Sequence, residues 1–179
     1  RRTDIELVNK KGLKLQCSHF EPINRVQEEH RALSTYMQTA APEWKGTIVA
    51  IQLELFGKLL PNNITVFCFD FAGCGLSEGK YISLGYYERD DVEVAVNYLR
   101  NSKRVSTIGL WGRSMGAVTA LMYSDRDPSI AGLVLDSPFS NLEQLARELA
   151  ARHSKIPGMF VSAAISMISG TIKKEVIAM

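Results

Sequence analysis

Short apolar runs alternate with segments of helical spacing over residues 61–153, and this alternation restricts the fold more than any other feature of the chain. The runs lack polar alternation, which is typical of strands buried on both faces of a parallel sheet. The apolar runs are Ile64–Phe69, Val105–Trp111 and Ile130–Leu135. The segments with helical spacing are Asp90–Leu99, Ser114–Tyr123 and Ser140 to about Arg152. The last of these opens with the capping box Ser140-Asn141-Leu142-Glu143, in which Ser140 is the predicted cap. Strands and helices in this order predict an α/β fold, with a mostly parallel sheet flanked by helices on both faces.

The N-terminal third of the chain follows a different pattern. Asp4–Val8 and Leu13–Phe20 are short strand-like runs separated by a turn that contains glycine, so we expect an antiparallel hairpin. Asn24–Ala40 is polar and helix-prone. Thr47–Ile51 predicts a strand, and Gln52–Leu60 predicts a helix that continues from it.

Bulk composition limits the possible classes of function. The chain has 179 residues, of which 46% are hydrophobic and 22% charged, and these values suit one globular domain. The formal net charge of +2 gives no basic excess that would indicate a nucleic-acid partner or an anionic membrane. Cys17, Cys68 and Cys74 are scattered without metal-ligand spacing and fit a reducing compartment. We therefore expect a cytoplasmic protein that binds no metal, and the first residues do not resemble a signal peptide.

The chain begins at Arg1 rather than at a methionine, so we expect a single domain over residues 1–179 that is incomplete. Residues 1–60 form its divergent N-terminal part and residues 61–153 its core. Residues 154–179 form a helical segment that either packs on the domain or acts as a lid.

One motif carries chemistry: Gly112-Arg113-Ser114-Met115-Gly116 fits the G-x-S-x-G nucleophile elbow. The chain must pass from strand to helix in one tight turn with the serine at its apex, and glycine at both ends of the motif avoids a collision. Such a turn places the Ser114 hydroxyl at the carboxyl edge of the sheet. The amide of Met115 then points to the same place and can stabilise an oxyanion. The competing explanation is a tight turn with an incidental serine.

A second stretch, Gly75-Leu76-Ser77-Glu78-Gly79, matches the same pattern. Its context differs, because Asp70–Cys74 separates it from the preceding strand and no helix of small residues follows it. We therefore expect Ser77 to lie in a loop without a catalytic role.

Three motifs follow one another along the chain: Asp70–Ser77 fits the pattern D-x-x-G-x-G-x-S, Trp111–Ala117 contains the elbow, and Leu135–Phe139 ends the following strand. In this order they resemble the α/β-hydrolase superfamily, in its serine aminopeptidase-like branch. The resemblance covers Pro61 to His153. It implies a three-layer sandwich, an ester, thioester or amide substrate, and no cofactor.

By the same resemblance, Ser114 is the nucleophile and Met115 supplies an oxyanion amide. The chain departs from the family in two places. The family has a His-Gly motif whose loop gives a second oxyanion amide, but Thr47–Leu60 contains none, and Gly46 and Gly57 are poor substitutes. Loss of one oxyanion donor costs on the order of 100- to 1000-fold in rate in other enzymes. The family's acid and histidine also follow later strands, for which the chain leaves no room.

The chain offers one candidate for each of the two residues that complete a serine, histidine and acid triad. His153 is the one histidine beyond the elbow and the candidate general base, although a solvated residue near a helix carboxyl end is the simpler explanation. Asp136 ends a strand at the catalytic edge and is the candidate acid. The alternative that we favour is that Asp136 makes a hydrogen bond in the turn that follows it. His19 and His30 are interpreted as structural or solvated residues.

Ile156–Ile172 is free of charged residues but too short and too polar for a membrane span. We favour a helix packed on the domain, and leave open a lid over an acyl pocket or a membrane-surface helix flanked by Lys173 and Lys174. The leading function is a serine hydrolase that acts on a small-molecule acyl substrate through an acyl-enzyme on Ser114. The alternative is a truncated, inactive hydrolase-fold protein that binds ligands or partners without turnover.

Overall fold

The computed structural model describes residues 1–22, 46–50 and 59–153, with side chains described for residues 1–22 and 59–148. The chain divides into two units, Arg1–Pro138 and Phe139–Met179. The described part of the first unit contains a six-stranded sheet, two α-helices and a short 3-10 helix, Leu60–Asn62. One helix is described in the second unit.

The sheet combines an antiparallel hairpin with four parallel strands. The strands are β1 (Arg2–Val8), β2 (Lys14–Phe20), β3 (Gly46–Ala50), β4 (Thr65–Phe69), β5 (Thr107–Arg113) and β6 (Gly132–Asp136). Their order across the sheet is β1-β2-β4-β3-β5-β6. β1 pairs antiparallel with β2, and β2 with β4, while β4, β3, β5 and β6 run parallel. The predicted hairpin and mostly parallel α/β sheet are thereby confirmed.

The helices are α1 (Glu88–Asn101), α2 (Met115–Ser124) and, in the second unit, α3 (Leu142–His153). α1 packs against α2, and α2 packs against β5 and β6. The main core lies where α1 and α2 cover the sheet, because apolar side chains of these helices and of the strands meet there. Its buried members are Leu15, Cys17, Phe67, Phe69, Phe71, Val92, Ala95, Val96, Leu99, Ile108, Leu110, Ala120 and Tyr123.

Strand β4 is buried on both faces, as its continuous apolar run predicts. Phe67 is fully buried in the main core, and Val66, which points to the opposite face, is fully buried in a second cluster. Leu60 and Trp111 pack against Val66 in that second cluster. Both faces of the strand are therefore shielded from water, so polar and apolar residues do not have to alternate along it.

The start of α3 differs by one residue from the prediction. The sequence predicts Ser140 as the residue that caps this helix, but the side chain of Asn141 takes that role. Its Oδ1 accepts hydrogen bonds from the amides of Glu143 at 2.8 Å and Gln144 at 3.1 Å. Serine and asparagine are both good caps, so the sequence pattern alone does not separate the two neighbours.

Several predicted segments lie outside the described residues. These are the helix over Asn24–Ala40, most of the helix over Gln52–Leu60 and the segment Ile156–Ile172. Across the part of the chain that the structure describes, no helix is long and apolar enough to cross a membrane.

A buried carboxylate joins the hairpin, the loop after β4 and helix α1. Asp91 is 2% exposed, and its Oδ1 accepts a hydrogen bond from the Asn9 side-chain amide at 2.8 Å. Its Oδ2 accepts the amide of Ala72 at 2.9 Å. Burial raises the pKa of the Asp91 carboxyl, although these hydrogen bonds oppose the shift. Asn9 also closes the hairpin turn, because its Oδ1 accepts the amides of Lys11 and Leu13, each at 3.0 Å.

A second buried carboxylate holds the segment that leads into α1. Glu88 accepts hydrogen bonds from the amide and hydroxyl of Ser83 at 2.7 and 2.6 Å and from the amide of Gly85 at 2.8 Å. Burial works to raise the pKa of Glu88, but these hydrogen bonds outweigh it and the pKa lies below its ordinary value. A side chain at Gly85 would lie 3.1 Å from the Val118 Cγ1 atom, so the segment passes close against helix α2.

We expect Asn9→Ala to lower the free energy of unfolding by about 2–3 kcal/mol, because it removes three hydrogen bonds and leaves a buried carboxylate oxygen without its donor. Lys10→Ala is the matched control, since its ion pair with Glu93 is exposed and worth less than about 1 kcal/mol. Urea denaturation of both variants beside the parent chain measures the difference. An equal loss of unfolding free energy in the two variants would contradict the role given to Asn9.

Candidate active site

The turn between β5 and α2 holds Ser114 in a conformation that residues other than glycine rarely adopt. Its backbone angles are φ 51° and ψ −116°, and the residue is exposed. Such a conformation costs on the order of 1–3 kcal/mol and persists only when the surrounding structure enforces it. The predicted sharp turn at this position is therefore present, with β5 leading directly into it and α2 leaving from it.

The turn depends on a close approach between the strand and the helix at the two motif glycines. A Cβ atom at Gly112 would lie 2.2 Å from both the carbonyl carbon and the oxygen of Gly116, and 2.5 Å from the amide of Ala117. These are backbone atoms and cannot move aside, so only glycine fits at position 112. Gly116 and Ala117 are themselves buried against this contact.

The Ser114 hydroxyl and the Met115 amide take no part in the hydrogen bonds within α2. The Ser114 carbonyl accepts the amides of Ala117 and Val118 at 3.0 and 3.1 Å, while its hydroxyl makes no capping hydrogen bond. Met115 is the first residue of α2, and an amide at that position has no acceptor within its own helix. It lies at the end of the helix that carries partial positive charge, which suits it to a developing oxyanion.

Asp136 meets the turn from the neighbouring strand. Its main-chain carbonyl accepts the amide of Ser114 at 2.8 Å, beyond the last register pair of β5 with β6. Its carboxylate accepts the hydroxyl of Ser137 at 2.8 Å and forms an exposed ion pair with Arg113 at 3.4 Å. The contact between the Asp136 carbonyl and the Ser114 amide could not be read from the sequence, because it depends on the orientation of one peptide plane.

Ser77 lies in the loop after β4. Its hydroxyl donates to the Asp70 carbonyl at 2.6 Å and accepts the amide of Gln16 at 2.8 Å. The Asp70 carboxylate accepts the amide of Leu76 at 2.9 Å, and a Cβ atom at Gly75 would lie 2.1 Å from its Oδ2. Ser77 is thus engaged in tying this loop to β2, as expected for the second G-x-S-x-G match.

The three histidines differ in how the structure places them. His19 is 5% exposed on β2, with its ring edge-on to Phe67 in the core. Two strands separate β2 from β5, a spacing of roughly 14 Å from strand to strand. His30 lies outside the described residues, and His153 ends α3 in the second unit with its side chain not described. The site therefore brings together Ser114, the Met115 amide and Asp136, and not His19.

Cysteines and metal ligands offer no rival centre in the described parts of the chain. Cys17, Cys68 and Cys74 are free thiols, and burial raises the pKa of all three, that of Cys17 to about 12. A protonated thiol is a poor nucleophile. Within residues 1–22 and 59–148, no group of three or more His, Cys, Asp or Glu side chains is placed to hold a metal ion.

The strand before β4 in the chain reaches the same edge of the sheet as the elbow. β3 pairs in parallel with β5, and its last residue, Ala50, is opposite Trp111. β3 and β5 therefore end at the same edge of the sheet, the edge at which α/β sheets place their sites. The residues that follow β3, 51–58, lie outside the described ranges.

Comparison with known proteins agrees with this geometry. Residues 47–174 match the family model described as serine aminopeptidase, S33. The protein YqkD of Bacillus subtilis (strain 168) is 40% identical over 92 residues, which are 49% of this chain and 30% of that protein. The protein YfhR of Escherichia coli O157:H7 is 31% identical over 93 residues, which are 49% of this chain and 32% of that protein. These matches thus span about a third of the length of either relative.

Solved structures share the fold. The Pyrococcus furiosus esterase Pf2001 superposes with a TM-score of 0.67 at 23% identity, over 90% of this chain and 60% of the esterase. XC6422 from Xanthomonas campestris, described as an α/β serine hydrolase without a lid, superposes with a TM-score of 0.53 at 20% identity, over 75% of this chain and 60% of that one. Both are α/β hydrolases, and at these identities the superposition shows the fold.

We expect Gly112→Ala to lower the free energy of unfolding by at least about 3 kcal/mol, because the added methyl group would overlap the backbone of α2. Gly132→Ala on the adjacent strand β6 is the matched control. A Cβ atom there has nothing within 4 Å, so its effect should stay within about 1 kcal/mol. Chemical denaturation of the two variants makes the comparison, and a Gly112→Ala protein as stable as its control would refute the close approach.

Proposed function

The chain belongs to the serine aminopeptidase S33 family, and from that premise we propose that it is a serine hydrolase that cleaves an ester, thioester or amide through an acyl-enzyme on Ser114. Family membership and the esterase-like fold support a hydrolase function. The acyl-enzyme and the bond that is cleaved are the further steps of the proposal.

One observation carries the proposal: an exposed serine in a strained backbone conformation does not use its hydroxyl to cap the helix that follows it. The hydroxyl of Ser114 does not cap α2, although a serine at that position ordinarily would. Strained residues cluster at active sites, where the strain holds a reactive group in place. The exposed hydroxyl lies next to the amide of Met115, which has no intrahelical acceptor.

The chemistry follows from these two groups. The Ser114 oxygen attacks the carbonyl carbon while a general base takes its proton, and the carbonyl oxygen becomes an oxyanion that accepts a hydrogen bond from the Met115 amide. Collapse of the tetrahedral intermediate expels the leaving group, which takes the proton from the base. Water then attacks the acyl-enzyme in the same way and regenerates the serine.

The base, the acid and the second oxyanion donor are the open positions of this mechanism. His153 remains the candidate base from the sequence. Asp136 is the candidate acid from the sequence, but its carboxylate contacts Ser137 and Arg113, so the position of the acid stays open. The second donor would come from the chain after β3. Removal of one oxyanion donor lowers the rate by on the order of 100- to 1000-fold in other enzymes, so a chain with Met115 alone would be slow.

We propose a small-molecule acyl substrate, no cofactor and no nucleic-acid partner. A cytoplasmic setting is supported by the three free cysteines, because a reducing compartment keeps thiols from pairing.

A second candidate function is a hydrolase-fold protein that binds ligands or partners without turnover. The position of His19 favours it, since this histidine is buried in the core away from the elbow. A serine without a general base within hydrogen-bond reach reacts slowly, even in a strained turn.

Reaction with a fluorophosphonate probe separates the two functions. We expect covalent labelling of the chain, loss of labelling in Ser114→Ala, and a mass shift on the peptide that contains Ser114, because only an activated serine attacks the probe at a useful rate. Labelled peptides are identified by mass spectrometry after digestion.

Ser77→Ala is the matched control, since Ser77 has the same G-x-S-x-G surroundings in sequence but its hydroxyl is engaged by Gln16 and Asp70. It should keep full labelling. A sample with the circular dichroism of a folded α/β protein that fails to label would support the binding protein and reject the hydrolase.

A further inference from the structure

We propose that Asp136 is a positioning residue for the nucleophile, which acts through its main-chain carbonyl and through a carboxylate that fixes the direction of that carbonyl. The kinetic part of this inference rests on the proposed role of Ser114. Its structural part stands without that role.

The carbonyl of Asp136 anchors one side of the strained turn. It accepts the Ser114 amide at 2.8 Å, and this bond fixes the peptide plane between Arg113 and Ser114. The φ angle of Ser114, 51°, is a rotation about the bond that leaves this plane. Any tilt of the Asp136 carbonyl would therefore turn the Ser114 side chain with it.

The direction of that carbonyl is set by the next residue. The peptide plane that carries the Asp136 carbonyl also contains the amide nitrogen of Ser137, so it turns when φ of Ser137 changes. Ser137 has φ 53°, in the left-handed region that favours glycine. It also precedes Pro138, which narrows its choice of backbone angles further.

The carboxylate of Asp136 holds Ser137 in this unfavourable conformation. Its Oδ1 accepts the Ser137 hydroxyl at 2.8 Å, and its Oδ2 faces Arg113 at 3.4 Å. Arg113 immediately precedes the nucleophile and is opposite Asp136 in the strand register. Both carboxylate oxygens thus contact residues at the ends of β5 and β6, namely Arg113 and Ser137. The acid of a triad would instead have to accept a hydrogen bond from the base.

The test compares the parent chain with Asp136→Asn, Asp136→Ala and the double variant Asp136→Ala/Ser137→Gly. Two quantities are measured in each: the second-order rate constant for reaction with a fluorophosphonate, and the exchange rate of the Ser114 amide hydrogen by NMR. Exchange at Leu110, within β5, reports any general loss of stability.

Asp136→Ala should slow phosphonylation and speed Ser114 exchange by about tenfold each, with Leu110 unchanged, because Ser137 loses the bond that holds it. Asp136→Asn should stay within about threefold of the parent in both measurements, since its amide oxygen still accepts the Ser137 hydroxyl. In the double variant both rates should return to within about threefold of the parent values, because glycine adopts a positive φ without cost.

Two results would overturn the inference. If Asp136→Asn loses on the order of 10⁴-fold in rate with exchange unchanged, Asp136 is the triad acid. If Asp136→Ala leaves Ser114 exchange at the parent value, the carboxylate does not hold the turn. A parent chain that does not react with the probe would count against Ser114 as a nucleophile, and the exchange measurements would still decide the role of Asp136.

Discussion

The contact between the backbones of Gly112 and Gly116 is the constraint on which the candidate site depends. The strand and the helix approach so closely there that a single methyl group would lie 2.2 Å from the Gly116 carbonyl. Because the chain must reverse within that space, Ser114 has to take its positive φ. Three features of the site depend on this turn. The turn exposes the Ser114 hydroxyl, begins α2 with the Met115 amide, and brings the Ser114 amide to the Asp136 carbonyl.

The rest of the first unit keeps that contact in place. Helix α2 stays against β5, because its own residues Ala117 and Ala120 are buried and α1 packs against its side. The loop before α1 passes close to α2 at Gly85, and the buried carboxylate of Glu88 holds that loop. Packing of this kind resists small shifts, so the cost of a strained serine is spread over many contacts.

Local patterns were enough to predict the strands, the hairpin and the elbow, because apolar runs and G-x-S-x-G each reflect short-range geometry. Context also separated Ser114 from Ser77, which lies in a loop as expected. The predicted cap of α3, Ser140, is wrong by one residue. Asn141 caps the helix instead, and the sequence does not separate the two because serine and asparagine are equally good caps. The hydrogen bond from the Ser114 amide to the Asp136 carbonyl could not be predicted, because it joins backbone atoms, which are the same whatever the side chains are.

The most direct measurement of the strain at the elbow is the difference in the free energy of unfolding between Ser114→Gly and Ser114→Ala. Both variants remove the hydroxyl, but only glycine adopts φ 51° without penalty, so the glycine variant should be more stable by about 1–2 kcal/mol. The same two substitutions at Leu121, an exposed position within helix α2, should show the reverse order by about 1 kcal/mol. A Ser114→Gly chain no more stable than Ser114→Ala would contradict a serine held in a strained turn.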